Sequence, residues 1–385
     1  MKIRIGPPAR GDNFFGRSKE LAYAWSLIED GNNLNLPSPR RVGKTSFALK
    51  MIDFAKDNDW KVIHINLEAH TEEGFIEKFI HKLNEQSDEK FKVAGTRVLD
   101  FIKGLKPTIQ VPGASFSLNW QTHEKDIYRQ LAGLFDHTKP TLIFFDEVTV
   151  LMEKLIKKDK GSEKVNSFLH WLRDIRITPD SNIRWIYCSS VGIENFTHTH
   201  QLSETFNDLH KYELKSFDEK TSISMLSKLS SSYGLALDDQ IHQAIVNKLH
   251  YCLPFFIQLI FEKIRHLHEV EERALDAGIV DEAYNTLITE AHFNTWVERL
   301  EKQYGPVAAY AMVFLRQICQ QKQGVTRANL QNSIAEKVND PEKLEAVTSK
   351  VLYMLTNDGY LIKEGDHYQF RSPLLRDFWY NRFVL

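Results

Sequence analysis

The first half of the chain alternates between helix-like and strand-like patterns of apolar positions. Apolar residues recur at helical spacing over 19–30, and a short apolar strand follows at 34–37. A helix over 44–58 and an alternating strand over 61–67 come next. This order of strand, loop, helix and strand predicts the opening of a parallel α/β sheet.

Two later strands are apolar with almost no interruption. They lie at 141–147 (TLIFFDE) and 184–190 (RWIYCSS), and a helix is predicted between them at 163–177. Continuous apolar strands are typical of a sheet that helices cover on both faces. We therefore expect both strands to belong to a sheet of that kind.

An insertion separates the early strands from the later ones. Segments 71–104 and 123–137 have helical patterns, whereas 106–120 alternates apolar residues around Pro112-Gly113. Alternation on both sides of a turn predicts a β-hairpin inserted in the domain.

The strand-like patterns fade after Tyr212. Residues 217–298 have the periodicity of several helices, one of them interrupted by Pro254. Beyond Tyr304, three predicted helices precede two short strands around Gly365-Asp366; the helices span 306–321, 326–337 and 343–357. Three helices followed by a β-wing predict a winged helix.

Composition narrows the class of protein. The 385 residues include 42% hydrophobic and 26% charged residues, as in soluble globular proteins, and the net charge of -2 gives no general attraction to nucleic acid. The amino terminus lacks a signal-peptide core, and no run approaches the about 18 apolar residues of a membrane span. The three cysteines, Cys188, Cys252 and Cys319, are far apart. We expect a cytoplasmic protein with free thiols.

The loop after the first strand carries the main chemical motif. Residues 38–45 match G-x-x-x-x-G-K-[ST] at Gly43, Lys44 and Thr45, while Ser38 replaces the first glycine. In this motif, backbone N–H groups surround the phosphates, the lysine reaches the β- and γ-oxygens, and the hydroxyl binds Mg²⁺. We expect ATP or ADP to be bound by Ser38, Pro39, Arg40, Arg41, Val42, Gly43, Lys44, Thr45 and Ser46.

An acidic pair follows the apolar strand at 141–147. Asp146 and Glu147 come at its carboxyl end, where open α/β sheets bind ligands. Asp146 is predicted to hold Mg²⁺ through water, and Glu147 to orient and deprotonate the water that attacks the γ-phosphate. Ser189 or Ser190, at the end of the next strand, is either a sensor of that phosphate or an ordinary strand-end serine.

These motifs define the predicted fold class. It is an α/β P-loop NTPase core with a parallel sheet, followed by an α-helical domain, which the family resemblance given next identifies as a lid, and a C-terminal winged helix. The core is predicted over 1–215 with its β-hairpin near 106–120, the lid over 216–300 and the winged helix over 301–385. Lys44, Asp146 and Glu147 are the predicted catalytic residues, and Thr45 and Asp146 the metal ligands.

Four segments together resemble the archaeal-type ATPases, in the STAND branch of the AAA+-related P-loop NTPases. They are FFGRSKEL at 14–21, SPRRVGKTS at 38–46, FFDE at 144–147 and FRSPLLRDFW at 370–379. The resemblance spans nearly the whole chain, and the loop and the C-terminal segment are its most specific parts. It implies an ATP-driven switch whose winged helix packs on the ATPase and restrains it.

The resemblance also implies further site residues. The adenine is expected near the amino-terminal residues Gly6, Pro7, Pro8, Phe15, Gly16 and Arg17, with Pro254 of the lid on the other side. Pro254 is alternatively a simple helix start. Arg40 and Arg41 either face the nucleotide or an acidic lid residue, or are solvated. Arg173 and Arg176 lie where related proteins place arginine fingers.

The winged helix has a weak charge signature for DNA binding. Residues 304–385 contain ten Lys/Arg and eight Asp/Glu, and the expected recognition helix carries only Lys343 and Lys350 as bases. We therefore favour a protein-contacting or intramolecular role, with a protein partner or self-association and no membrane. Two alternatives stay open: a DNA-binding regulator or mobile-element or defence factor, and a slow or non-hydrolysing scaffold that holds ADP or ATP.

Overall fold

The structure is a computed structural model that describes residues 1–37, 39–68, 71–85, 128, 131–189, 192–338 and 340–385. The chain forms two compact units. Unit 1 comprises residues 1–18, 38–46 and 213–385, and unit 2 comprises 19–37 and 47–212. The hairpin predicted at 106–120 lies outside the described residues. The division into three domains stays a prediction.

Unit 2 is built on a parallel sheet of five strands in the order β2-β3-β4-β1-β5. The strands are β1 Asn33–Leu36, β2 Lys61–Asn66, β3 Thr141–Asp146, β4 Ile183–Cys188 and β5 Leu209–Lys211. Cys188 is in register with Asp146 on one side and with Leu36 on the other. Three neighbouring strands therefore end at the same level.

Helices connect the strands of this sheet along the chain. They are α1 Ser18–Glu29, α2 Lys44–Asp57, α3 Glu72–Glu85, α4 Val148–Ile156, α5 Gly161–Arg176 and α6 Ile193–Thr199, with a 3-10 turn at Ser203–Phe206. Every residue of β3 is buried, as its continuous apolar sequence predicts. Phe145 of β3 packs edge-on against Trp185 of β4 at 5.2 Å, in the core of the unit.

Unit 1 is mainly helical. Its helices are α7 Glu219–Tyr233, α8 Asp239–Leu249, α9 Pro254–Glu269, α10 Ala277–Leu287, α11 Asn294–Gln303, α12 Ala308–Cys319, α13 Arg327–Asn332, α14 Pro341–Asn357 and α15 Pro373–Phe383. Short 3-10 turns occur at Gly11–Asn13, Ala291–Phe293, Gly305–Val307 and Ala335–Lys337. Asp218, Asp238 and Asp276 cap α7, α8 and α10 by accepting backbone N–H groups. Each such cap is worth about 1 kcal/mol.

Unit 1 contains the helices and the β-hairpin from which a winged helix was predicted. Helix α12 is followed by strand β6, helices α13 and α14, and strands β7 and β8, and the three strands form an antiparallel sheet in the order β6-β8-β7. Its strands are β6 Val325–Thr326, β7 Leu361–Glu364 and β8 His367–Phe370. Gly365, with φ of 58°, turns the chain between β7 and β8 to form the wing.

Two further predictions concern the whole chain. Cys188, Cys252 and Cys319 are buried free thiols, as expected. Among the described residues, no helix combines the length and apolar character needed to cross a membrane.

Candidate active site

The phosphate loop turns at a glycine in a conformation that L-residues rarely adopt. Gly43 has φ of 98°, and no described atom lies within 4 Å of the position that a Cβ would occupy. The next residue, Lys44, begins α2. Backbone N–H groups at a helix start attract anions, and a residue without Cβ leaves room for a phosphate to approach. The loop therefore fits the phosphates of a nucleotide.

The polar side chains of the motif form hydrogen bonds with the loop itself and with the amino-terminal segment. Lys44 is 8% exposed, and its Nζ donates to the carbonyl of Pro39 at 3.2 Å. Thr45 is partly exposed. Ser46 Oγ accepts a hydrogen bond from the N–H of Ala9 at 2.9 Å, which fixes the amino-terminal segment to the helix start. Ser38 lies outside the described residues.

Arg17 links the loop to the segment that leads into residues 216–300, the predicted lid. Its side chain is buried, and Nη2 donates to the carbonyls of Val42 at 3.2 Å and Lys215 at 2.8 Å. The guanidinium also lies 4.8 Å from the ring centroid of Phe217. Because two main-chain carbonyls share one cation, a shift of either segment disturbs the other.

The neighbours of Arg17 contact the lid as well. The rings of Phe15 and Phe217 meet edge to face at 6.4 Å. A Cβ on Gly16 would lie 2.8 Å from Thr221 Cγ2, so the close approach of this segment requires glycine. Pro254 starts α9, as the simpler of its two interpretations expects, and its carbonyl accepts from Gln258 at 3.1 Å.

The remaining predicted adenine residues and the loop arginines differ in their surroundings. Gly6, Pro7 and Pro8 are exposed. Arg41, with φ of 68°, places its guanidinium 4.4 Å from the ring centroid of Phe255 on α9. Burial and the charge of Arg40 both lower the pKa of Arg41. Neither interpretation of Arg41 anticipates this stacking on an aromatic ring of the lid.

The acidic pair lies in unit 2. Asp146, 3% exposed, ends β3, and Glu147 follows in a left-handed conformation with φ of 60° and ψ of 37°. The N–H of Glu147 donates to the carbonyl of Cys188 at 2.8 Å, and Ser189 Oγ donates to Glu147 Oε2 at 3.3 Å. A carboxylate such as that of Asp146 is an oxygen donor of the kind that Mg²⁺ prefers.

Ser189 is thus the strand-end serine that contacts Glu147. Ser190 lies outside the described residues. The contact gives Ser189 a direct way to orient the carboxylate. Its assignment as a phosphate sensor stays a prediction.

The predicted arginine fingers are engaged within unit 2. The guanidinium of Arg176 is fully buried and pairs with Asp208, with Nε 2.7 Å from Oδ2, and also donates to the hydroxyl of Tyr187 at 3.0 Å. Arg173 is partly exposed and lies 3.9 Å from Asp208. A buried and paired guanidinium favours a structural role for Arg176, because its removal would leave Asp208 unpaired.

The sequence gives no signal for one further contact of the phosphate loop. A Cβ on Gly359, which has φ of 83°, would lie 2.7 Å from Pro39 Cβ. Gly359 follows Asp358, whose buried carboxylate accepts from Tyr304 at 3.0 Å and faces Arg299 at 3.4 Å. This network holds the start of the wing against the loop, within unit 1.

Comparison with protein-family models and with curated proteins finds no match. Among solved structures, the Walker-type ATPase of Pyrococcus abyssi is similar with a TM-score of 0.63 and 17% identity, covering 98% of this chain and 99% of that one. The ORC2 protein of Aeropyrum pernix, solved in ADPNP–ADP complexes, has a TM-score of 0.52 and 13% identity, with 96% of each chain covered. These likenesses show that the chain has the fold of the P-loop ATPases, as the sequence predicts.

Proposed function

We propose that the protein is an ATP-binding and ATP-hydrolysing molecular switch. The observation that carries the proposal is the acidic pair: buried Asp146 ends a central strand, and Glu147 stands next to it in a left-handed conformation, beside Ser189. Such a backbone conformation costs about 1–3 kcal/mol for a residue other than glycine, and it concentrates at functional sites. The fold of the P-loop ATPases supports the same assignment.

Each residue has a separate task in this proposal. Bound Mg²⁺·ATP would supply the phosphoryl group that is transferred to water. Lys44 would hold the phosphate oxygens, and Thr45 and Asp146 would hold the Mg²⁺. Glu147 would take a proton from the attacking water, and the hydrogen bond from Ser189 would fix the direction of its carboxylate.

The contacts of the phosphate loop support the switch. Pro39 meets Gly359 of the winged helix, and Arg41 stacks on Phe255 of the lid. Lys44 donates a hydrogen bond to the carbonyl of Pro39. A phosphate that attracts Lys44 would weaken this hydrogen bond and so disturb Pro39, which contacts Gly359. A change of nucleotide would therefore alter the position or the freedom of the winged helix.

The test is the substitution Glu147→Gln, which keeps the size of the side chain and removes the base. We expect ATP binding to persist and multiple-turnover hydrolysis to fall by about 10²–10⁴-fold. Glu163→Gln is the matched control, because Glu163 is exposed on α5 and undergoes the same change of charge. Equal turnover in the Glu147 variant and the wild type would remove Glu147 from this role.

The same measurement decides the scaffold alternative. A wild-type protein that copurifies with ADP or ATP and shows no multiple turnover would be a nucleotide-bound scaffold. The DNA-binding alternative gains little from residues 304–385, because their ten bases are nearly balanced by eight acidic residues and Arg327 is paired with Glu345. A duplex-DNA affinity that falls with rising salt would restore it.

A further inference from the structure

A cavity of about 700 Å³ lies within unit 1, between the lid helices and the winged helix. Its walls come from residues 213–216, His250-Tyr251, the wing strands β7 and β8, and the start of α15. Cavities of about 300–1,000 Å³ are the usual size of small-molecule sites. The ATPase function proposed above assigns nothing to this cavity.

The lining of the cavity has a surplus of positive charge. It contains four cationic side chains and two carboxylates: Lys215, Lys322, Arg371 and Arg376 against Glu213 and Glu364. Two formal positive charges are left over. Arg376 donates to neighbouring Asp377 at 2.6 Å, which neutralises much of its charge. Arg371 is therefore the arginine of the lining that is more available to a bound anion.

Arg371 is a mostly buried cation whose pairing is incomplete. Its side chain is 19% exposed, and Nη1 is 3.9 Å from Glu213, which is too long for a hydrogen bond. Nε is buried and has no hydrogen-bond partner among the described residues. The guanidinium also lies beside the hydroxyl of Tyr251, where its charge opposes the rise in the Tyr251 pKa that burial causes. A buried guanidinium in this state is stabilised by an anion.

The other walls suit an organic ligand. Leu214, Ile362, Phe370 and Pro373 supply apolar surface next to these charges. The positive end of the 11-residue helix α15 starts at Pro373 and adds a favourable field for an anion. The segment FRSPLLRDFW, the most specific C-terminal motif of the chain, contributes Phe370, Arg371 and Arg376 to the lining. None of the residues of this segment is assigned to the nucleotide site.

We propose that this cavity binds a phosphorylated small molecule, separately from the nucleotide at the phosphate loop. A phosphate group carries about 1.5–2 negative charges and three acceptor oxygens, which suit a positively charged lining and the forked guanidinium of Arg371. The cavity is also connected to the phosphate loop. Lys215 lines it, and the carbonyl of Lys215 accepts from Arg17, which also holds Val42. Occupation of the cavity changes the affinity of the protein for nucleotide through this link.

The full chain is saturated with Mg²⁺·ADP and then titrated with inorganic pyrophosphate at fixed ionic strength. Isothermal titration calorimetry measures the affinity and the number of pyrophosphate molecules bound per chain. We expect one pyrophosphate per chain in addition to ADP. Arg371→Gln should weaken its binding by about ten- to a hundredfold, the usual loss for a hydrogen-bonded charge. Lys350→Gln, an equal change of charge at an exposed position of α14, should bind like the wild type.

Two further variants keep the result open to refutation. Lys322→Gln alters an exposed cation of the lining and should weaken binding by about two- to fivefold, even if Arg371→Gln does not fold. Lys44→Ala should lose ADP affinity and keep the pyrophosphate site. Absence of saturable binding to the wild type would overturn the proposal. So would pyrophosphate binding that Lys44→Ala removes and the Arg371 and Lys322 variants retain, because the ligand would then lie at the phosphate loop.

Discussion

At the scale of single residues, the phosphate loop depends on how closely its neighbours approach. Gly359 meets Pro39 at a distance that leaves no room for a side chain, and the Asp358 network holds it there. The contact joins the winged helix to a residue that also accepts from Lys44. A methyl group added at Gly359 would therefore disturb both Pro39 and the hydrogen bond that Pro39 accepts from Lys44.

Gly359→Ala should therefore speed the release of ADP. The new Cβ would lie 2.7 Å from Pro39 Cβ, and the left-handed conformation adds strain of about 1–2 kcal/mol. We expect ADP to dissociate about 5- to 30-fold faster, measured by displacement of a fluorescent ADP analogue.

Gly365→Ala is the matched control for this substitution. It has φ of 58° in the wing turn and no described atom within 4 Å of its Cβ position. It introduces similar strain without a contact to the loop. If both variants release ADP at the wild-type rate, or both accelerate it equally, the contact with Pro39 has no part in retaining the nucleotide.

Candidate site residues could be named from the sequence where their motif is contiguous. Lys44, Asp146 and Glu147 follow from a few neighbouring letters and a strand. The contact between Pro39 and Gly359, and the pairing of Arg176 with Asp208, join positions that only the folded chain brings together. No local pattern distinguishes a buried structural arginine from a catalytic one, so the sequence left the role of Arg176 open.

At the scale of elements, apolar pattern predicted four of the five parallel strands. It missed β5, because three residues, none of them buried, are too few to show a period. It also missed α4, which begins directly after Glu147 and is apolar on most of its surface. The helices of the winged helix were found because each has a one-sided apolar stripe and a clear start.

The packing of α7 against α8 predicts a dependence of stability on pH. His242 of α8 is buried, and its Nε2 lies 3.2 Å from Ser230 Oγ of α7. Burial lowers the pKa of His242, while the nearby Asp239 and Asp238 oppose that change. The unfolded chain therefore binds more protons below about pH 6.5, so the free energy of unfolding should fall as the pH falls through that range.

Urea unfolding at pH 7.5 and 5.5 measures this effect. His242→Gln, which cannot titrate, should lose less stability between the two pH values than the wild type does. His250, an exposed histidine of unit 1, provides the control substitution His250→Gln. Equal losses in the His242 variant and the wild type would show that burial of this histidine is not coupled to acid destabilisation.

At the scale of the whole molecule, the phosphate loop belongs to the unit that contains the lid helices and the winged helix. Within that unit, Arg17 bonds to Val42 and Lys215, Arg41 stacks on Phe255, and Pro39 touches Gly359. The phosphate loop therefore has separate contacts with the amino-terminal segment, with α9 and with Gly359, which precedes β7. The sequence placed the loop correctly between strand and helix, but these partners lie far away along the chain.

This arrangement predicts which backbone segments change their rate of hydrogen exchange when nucleotide binds. ADP should slow hydrogen exchange in the loop at 39–46 and also at 358–360, by about fivefold at the second position for a coupling of about 1 kcal/mol. Mass-spectrometric exchange with and without Mg²⁺·ADP measures both segments. Lys44→Ala should show neither change at the same ADP concentration. Protection of the loop alone would contradict the switch.

The discontinuity of unit 1 has a consequence for synthesis. Its three segments are 1–18, 38–46 and 213–385, so the loop leaves the ribosome long before Phe255 and Gly359 do. Unit 2, which ends at Tyr212, is translated completely before those residues appear. A nascent chain can thus build its sheet early, whereas the loop meets Phe255 and Gly359 only when the last third of the chain is made. Vectorial synthesis thereby places the formation of the sheet before the completion of unit 1.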